Sequence, residues 1–553
     1  MTGLRRAALA GAVLLVALTV PAAPVTAAPA GGDAVAVAIA AELESLMSPD
    51  GPRIHGVTVA MQEIMQTFYA RRAFRAAWEK RENVDELLAA IEGSSADGLD
   101  PADYQLTLLQ DLTRQVRQPA ATATLRGQYD VLMTESLLRL GRHLSFGKVD
   151  AATFDAKWNY GRGIADRDIA REIEEALAAG DVGRRIEALK PTHRLYLGLK
   201  RELARYRAAS AAEPKPIPAG TALKPGASDA RVPLLRARLA ASGDLDAAAA
   251  AGESQDYDAV LEAAVRHFQS RMGLEADGVA GAGTVEELNV PVSERIRQLR
   301  INLDRGRVLL QDLPDEFVVV NVAGFSLYFL RGQNIVWTTR VQVGKPYRQT
   351  PIFRSEINYL VFNPTWTVPP GIIRNDILPA ARQDAGVFAR KKLKVLDASG
   401  TEIDPHTIDW SQFKSGNIPY TLRQDPGADN ALGRVKLMFP NPYLVYLHDT
   451  PSQSLFERSD RAFSSGCVRV QDALKLAELV LDDEARWNPE TIGAVIRGGQ
   501  LQNVMLKRKV PVLLAYWTAW VDSNGVMNFR KDVYGQDAKW GAALDTPPVR
   551  TTS

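Results

Sequence analysis

The 553-residue chain has one cysteine, Cys467, so no intramolecular disulfide can form. Histidine is also scarce, with six in all, and no His/Asp cluster has ligand spacing, which argues against zinc-amidase chemistry and leaves no metal site to assign. Neither charge sign is in excess. The formal net charge is +1, so bulk charge draws the chain to no polyanion and gives no reason to expect a nucleic-acid partner. Beyond the N-terminus no apolar run approaches the ~20 residues of a membrane-spanning helix. An apolar fraction of 46% still allows a substantial core, and the length suggests several domains.

The N-terminus reads as an export signal. Arg5 and Arg6 precede an apolar stretch over residues 8–20, and Val25-Thr26-Ala27 fits small-x-small cleavage, placed after Ala27. An uncleaved anchor is the alternative, disfavoured by the short apolar run. An exported chain meets an oxidising compartment, where a lone thiol is open to oxidation. Free cysteine is often only a small apolar filler. Here Ser464, Ser465 and Gly466 precede it, which suggests an exposing turn, and Arg469 follows, whose charge favours thiolate. Nucleophilic catalysis is the stronger reading.

A nucleophilic thiol needs a base. His143 and His267 lie in helical stretches and His406 in a polar loop. His448 ends the β-type run Tyr443-Leu444-Val445-Tyr446-Leu447-His448, which Asp449-Thr450-Pro451 closes. A strand end presents its last side chain at the rim of a sheet, and the intervening loop is long enough to bring Cys467 back to it.

His448-Asp449-Thr450-Pro451 through Ser464-Ser465-Gly466-Cys467-Val468-Arg469-Val470 resembles the active-site signature of the L,D-transpeptidases. Most members carry histidine directly before Gly-Cys, where this chain has Ser465. The large multidomain proteobacterial subgroup shares that departure. The resemblance implies Cys467 as nucleophile, His448 as general base and acid, and the backbone at Gly466–Cys467 as oxyanion hole. Around them, Arg469, Tyr446, Ser464, Ser465 and Trp366 are expected to border substrate. Asp449 would point to the opposite strand face, and the resemblance implies a backbone carbonyl to orient the imidazole instead.

The expected fold is multidomain α+β. After a signal peptide (1–27) and a linker (28–54), residues 55–207 form a helical domain whose composition resembles the subgroup's scaffold domain. A Pro/Ala-rich linker (208–230) leads to a small three-helix module (231–292) that resembles the peptidoglycan-binding domain. In that module Val260, Ala264, Phe268 and Met272 would mark a core face, Gly273 a helix stop and Thr284 an N-cap. A connecting helix (293–315) precedes a mainly β catalytic domain (316–540), then a tail (541–553). An insertion over about 370–423 resembles the subgroup's capping subdomain, and such an excursion is more often a lid than decoration.

The resemblance implies peptidoglycan stem peptides as donor and acceptor. A Cys467 thioester would form at the third-position diamino acid as terminal D-alanine leaves, and a second stem's amine would resolve it into a cross-link. Carbapenem β-lactams are the expected covalent inhibitors, no cofactor is implied, and the periplasm is the expected location. Hydrolysis of the same thioester, as an L,D-carboxypeptidase or endopeptidase, uses the same residues and stays open, as does a non-catalytic wall-binding scaffold.

Overall fold

A computed structural model describes residues 32–46, 53–154, 158–160 and 167–547. The expected signal peptide lies outside them. No helix among the described residues is long and apolar enough to cross a membrane.

The N-terminal domain is a helical bundle around the long helix Ala123–Phe146. Phe68, Tyr69, Leu87, Ile91, Leu109 and Leu132 are fully buried in its core. The stretch expected as a linker contributes a helix of its own, Ala34–Ser45. Ala36, Ile39 and Leu43 make a buried stripe at helical spacing, which the surrounding alanines disguise in the sequence. Gly127 admits the close approach, since a Cβ there would lie 3.0 Å from the Ala38 Cβ.

Helices Val232–Ser242, Ala259–Met272 and Ala282–Leu288 form the small module around Leu235, Leu239, Leu261 and Phe268. Gly273 ends the second helix in the left-handed region, at φ +72°. Two details differ from expectation. Val260 is 56% exposed because Leu261 takes the core position. The last helix is capped by Gly281, leaving Thr284 buried beneath it to accept a hydrogen bond from Gln269. The proline-rich segment before the module is docked on it. Leu223 and Ala280 exchange two backbone hydrogen bonds, and the Asn289 side chain exchanges two with Ile217.

The connecting helix, Val292–Leu309, is the buried axis of the molecule. Arg307 and Asp304 pair at 2.8 Å with neither side chain exposed. Asp304 also accepts from the Lys148 and Val149 N–H groups and from Trp540. Arg307 reaches the Asp97 carbonyl, and Asn302 exchanges hydrogen bonds with Thr518. This one helix therefore satisfies polar groups of both the scaffold and the catalytic domain. The boundary expected at residue 540 falls inside a helix, Gln536–Asp545, whose Trp540 and Leu544 pack on Ile301 and Val149.

Nine strands build the main sheet of the catalytic domain: β1 Glu316–Asn321, β2 Ser326–Arg331, β3 Asn334–Gly344, β4 Phe353–Phe362, β5 Val435–Met438, β6 Leu447–His448, β7 Ala462–Ser464, β8 Val468–Val470 and β9 Gln502–Ala515. Their order is β7-β3-β8-β6-β5-β4-β9-β1-β2, and β2 also pairs with β3, so the sheet closes on itself. Most pairings are antiparallel, but β6–β8, β7–β3 and β9–β1 run parallel. Between β4 and β5 the chain leaves to form the cap. There the short strands Trp366–Thr367, Lys394–Leu396, Glu402–Ile403 and Thr421–Gln424 carry a separate core of Val368, Leu378, Phe388, Trp410 and Leu422. The cap opens with a helical stretch, Pro370–Ile372 and Leu378–Ala381, joined by a π-turn at Ile373–Ile377.

Asp304→Ala would leave buried Arg307 without its carboxylate. It is expected to cost about 3–5 kcal/mol, whereas Asp85→Ala, which breaks a pair with side chains 76% and 54% exposed, changes stability little. Urea denaturation of the two variants checks this.

Candidate active site

Strand alternation decides which residues meet at the site. Leu437, Leu447 and Val468 point into the core and are fully buried. Their neighbours point the other way. Register aligns Lys436 of β5 with His448 of β6, His448 with Arg469 of β8, and Arg469 with Gln342 of β3. One residue short of β6 and β8, Tyr446 and Cys467 continue the same face, tied by the Val468 N–H to Tyr446 O bond of 3.1 Å. This face is the floor of a cleft of about 970 Å³. Cys467, His448, Arg469, Tyr446, Ser464, Ser465 and Trp366 all line it. Cap residues, including Ile372, Arg374 and Asp376, form the opposing wall.

The turn carrying Cys467 is braced from within and from outside. Gly466 sits at φ +119°, a backbone conformation that side-chain-bearing residues rarely adopt. The Ser464 hydroxyl donates to Cys467 O at 2.5 Å and accepts from Gly466 N–H at 3.1 Å. Thr350 donates to Gly466 O at 2.8 Å and accepts from Gly344 N–H at 2.9 Å, fastening the turn to the end of β3. Two expectations change as a result. The Gly466 N–H is already committed, which leaves the Cys467 N–H as the turn's donor among the described residues. Ser464 is buried and braces the turn, while exposed Ser465 accepts from Arg348 at 2.9 Å.

His448 is buried, 4% exposed. Its Nδ1 lies 2.5 Å from Asp449 O, which can only accept, so Nδ1 carries the proton and Nε2 is left as the acceptor. The Asp449 carboxylate is turned away and accepts from Arg434 N–H and Gln453. The Tyr446 ring meets the imidazole edge to face, with centroids 5.6 Å apart. Burial, then the charges of Arg469 and Lys436, push the imidazole down to about 3. Burial pushes the Cys467 thiol up, opposed by the Tyr446 N–H and hydroxyl and by Arg469 and Lys436. The resting pair is therefore a thiol and a neutral imidazole. Arg469 donates to Gln342 at 3.2 Å, but its buried Nε has no partner. Trp366 packs against the cap core while lining the cleft at the cap's root.

Three contributors escaped sequence reasoning. Arg348 forms a bidentate pair with Asp376 of the cap, at 2.6 and 3.2 Å, while holding Ser465. Nothing local marks such a distant contact. Thr350 stands out only as the residue of a Thr-Pro pair. Lys436 alternates with buried Val435 and Leu437, a readable signal, but its meaning depends on which strand lies alongside.

A closed β-sheet with an inserted cap, and a lone thiol in the cleft between them, define a capped single-cysteine catalytic domain. Comparison with known proteins gives it a family. Residues 315–501 match the model of the L,D-transpeptidase catalytic domain, residues 63–203 a scaffold domain, and residues 228–288 a "Putative peptidoglycan binding domain". The L,D-transpeptidase match is thus to the catalytic domain, about a third of the chain. A Haemophilus influenzae protein named "Putative L,D-transpeptidase" is 35% identical over 243 residues, 44% of this chain and 48% of that protein. The chain thus matches about half the length of that relative. Among solved structures, an L,D-transpeptidase from Xylanimonas cellulosilytica is 14% identical, over 54% of this chain and 99% of its own, with a TM-score of 0.18. One from Stackebrandtia nassauensis is 14% identical, over 55% and 97%, with a TM-score of 0.20.

Because folding lowers the His448 pKa below its unfolded value of ~6.5, the unfolded chain takes up this proton first. Its contribution to stability falls as pH drops below about 6.5 and levels off near 3. Nitrogen NMR should show a neutral, Nδ1-protonated His448 from pH 8 to about 4, with the signal identified by its loss in His448→Asn. An imidazolium signal appearing near pH 6 would contradict the burial argument.

Proposed function

We propose that this chain is an exported L,D-transpeptidase that joins peptidoglycan stems through a Cys467 thioester. The observation that carries the reading is the parallel pairing of β6 and β8, which lines up Tyr446 and His448 with Cys467 and Arg469.

In the proposed reaction a tetrapeptide stem enters the cleft beneath the cap. The Cys467 sulfur attacks the carbonyl of the third residue while the thiol proton passes to His448 Nε2. Proton transfer accompanies bond formation, which suits an imidazole too buried to hold a resting charge. The Cys467 N–H and the Tyr446 hydroxyl are the donors nearest the developing oxyanion. His448 returns the proton to the leaving amine, and the peptide bond to terminal D-alanine breaks. The side-chain amine of a second stem then attacks the thioester carbonyl and gives a proton to His448; the C–S bond breaks, His448 returns the proton to the Cys467 sulfur, and a cross-link between two third residues is left. The unpartnered Nε of Arg469 suits a substrate carboxylate. Carbapenem β-lactams would acylate the same thiol. Export to the periplasm follows from the N-terminal signal and from where this substrate lies.

Mass spectrometry of muropeptides after incubation with purified stems tests the reading. Wild type is expected to release D-alanine and form dimers, and Cys467→Ala to form none while keeping its fold. Dimers from Cys467→Ala would sink the mechanism. Tripeptides without dimers from wild type would make the enzyme a carboxypeptidase instead.

A further inference from the structure

Lys436 has no role in the reaction as drawn, yet its surroundings are unusual for a lysine. It lies in mid-strand on β5 and is half-buried, and burial lowers its pKa. No carboxylate pairs with it among the described residues. Its Nζ instead sits 4.8 Å from the centroid of the Tyr446 ring, within cation–π range. Its register partner on β6 is His448, and on β4 it is Val361, which carries no charge. A desolvated cation without a counter-ion is costly and calls for an anion that appears in use.

The groups that act on the Cys467 thiol are Tyr446, just before β6, Arg469 of β8 and Lys436 of β5. The cleft around it also carries His448, Lys345, Arg374, Lys391 and Lys392, with the carboxylates of Asp376 and Asp429. Arg348, bonded to Ser465, has its charge taken by Asp376. Among the described residues Arg469 is also without a carboxylate and bonds to neutral Gln342. Two uncompensated cations therefore stand on opposite sides of His448, one register step from the sulfur.

We infer that Lys436 is a positioning residue: it holds the Tyr446 ring against the site and supplies, with Arg469, the positive field in which the Cys467 sulfur and the oxyanion carry negative charge. Electrostatic influence on both neighbours agrees with this placement, since Lys436 favours the charged form of Cys467 and disfavours protonation of His448. The same lysine would thus keep the base unprotonated and make the sulfur easier to ionise.

The inference rests on the reading of Cys467 as the nucleophile, but it can be tested without turnover. The rate of alkylation of the single thiol by iodoacetamide, followed against pH, reads the thiol's ionisation directly. Lys436→Met is expected to move that profile upward by about one pH unit, slowing alkylation roughly ten-fold at pH 7. Lys436→Arg, which keeps the charge and the ring contact, should restore most of the rate. Lys436→Gln is a second neutral variant, and thermal melting is followed for all three. A Lys436→Met profile that overlays wild type overturns the inference. So does equal slowing by Met and Arg, or the failure of both neutral variants to fold, each of which makes the lysine merely structural. If wild type forms no cross-links yet the profile shifts as expected, the transpeptidase reading fails and the role of Lys436 stands.

Discussion

The site depends on one strand pairing. β6 and β8 run parallel, so residues that share a face on one strand meet those on the same face of the other in the same order. Leu447 and Val468 are locked into the core, and a slip of one residue would turn both toward the cleft and carry His448 and Cys467 to the core side instead. The register that stabilises the sheet is thus also the one that assembles the chemistry. Closure of the sheet through β2 and β3 reinforces it by leaving the pair no free edge.

A second requirement is that the turn before β8 stay rigid while the cleft stays accessible. The turn's own hydrogen bonds and Thr350 meet the first need. The cap meets the second by having its own core, joined to the sheet through two chain crossings. Arg348 touches both parts, binding Asp376 of the cap and Ser465 of the turn. The Ser465 hydroxyl, directly before Gly466, is engaged by that arginine. In the proposed reaction the base is therefore His448, whose tautomer is set by a backbone carbonyl and not by an acid.

Much of this could be read from the residues. A single cysteine, a histidine ending a β-type run and a small-residue turn marked both of the proposed reacting groups, because those signals are local. Strand alternation gave the β-domain, and helical spacing the bundle. What escaped reading depended on partners distant in the chain. Lys436 and Arg348 matter only because of where β6 and the cap lie. The helix at Ala34–Ser45 was hidden by alanine, whose small side chain serves core and surface alike. The segment over 208–230 looked like a linker because prolines favour extended chain, and extended chain can still dock. Gly466 was expected to lend its N–H to the oxyanion hole, but that N–H is spent on Ser464.

The central claim is that one thiol carries the acyl group. Trapping the enzyme with a tetrapeptide stem in the absence of acceptor, followed by peptide mapping, tests it directly. The account predicts a hydroxylamine-sensitive adduct on the peptide containing Cys467, with the mass of the stem less D-alanine, forming far more slowly in His448→Ala. Product formation with no adduct on that peptide, or an adduct on another residue, would contradict it.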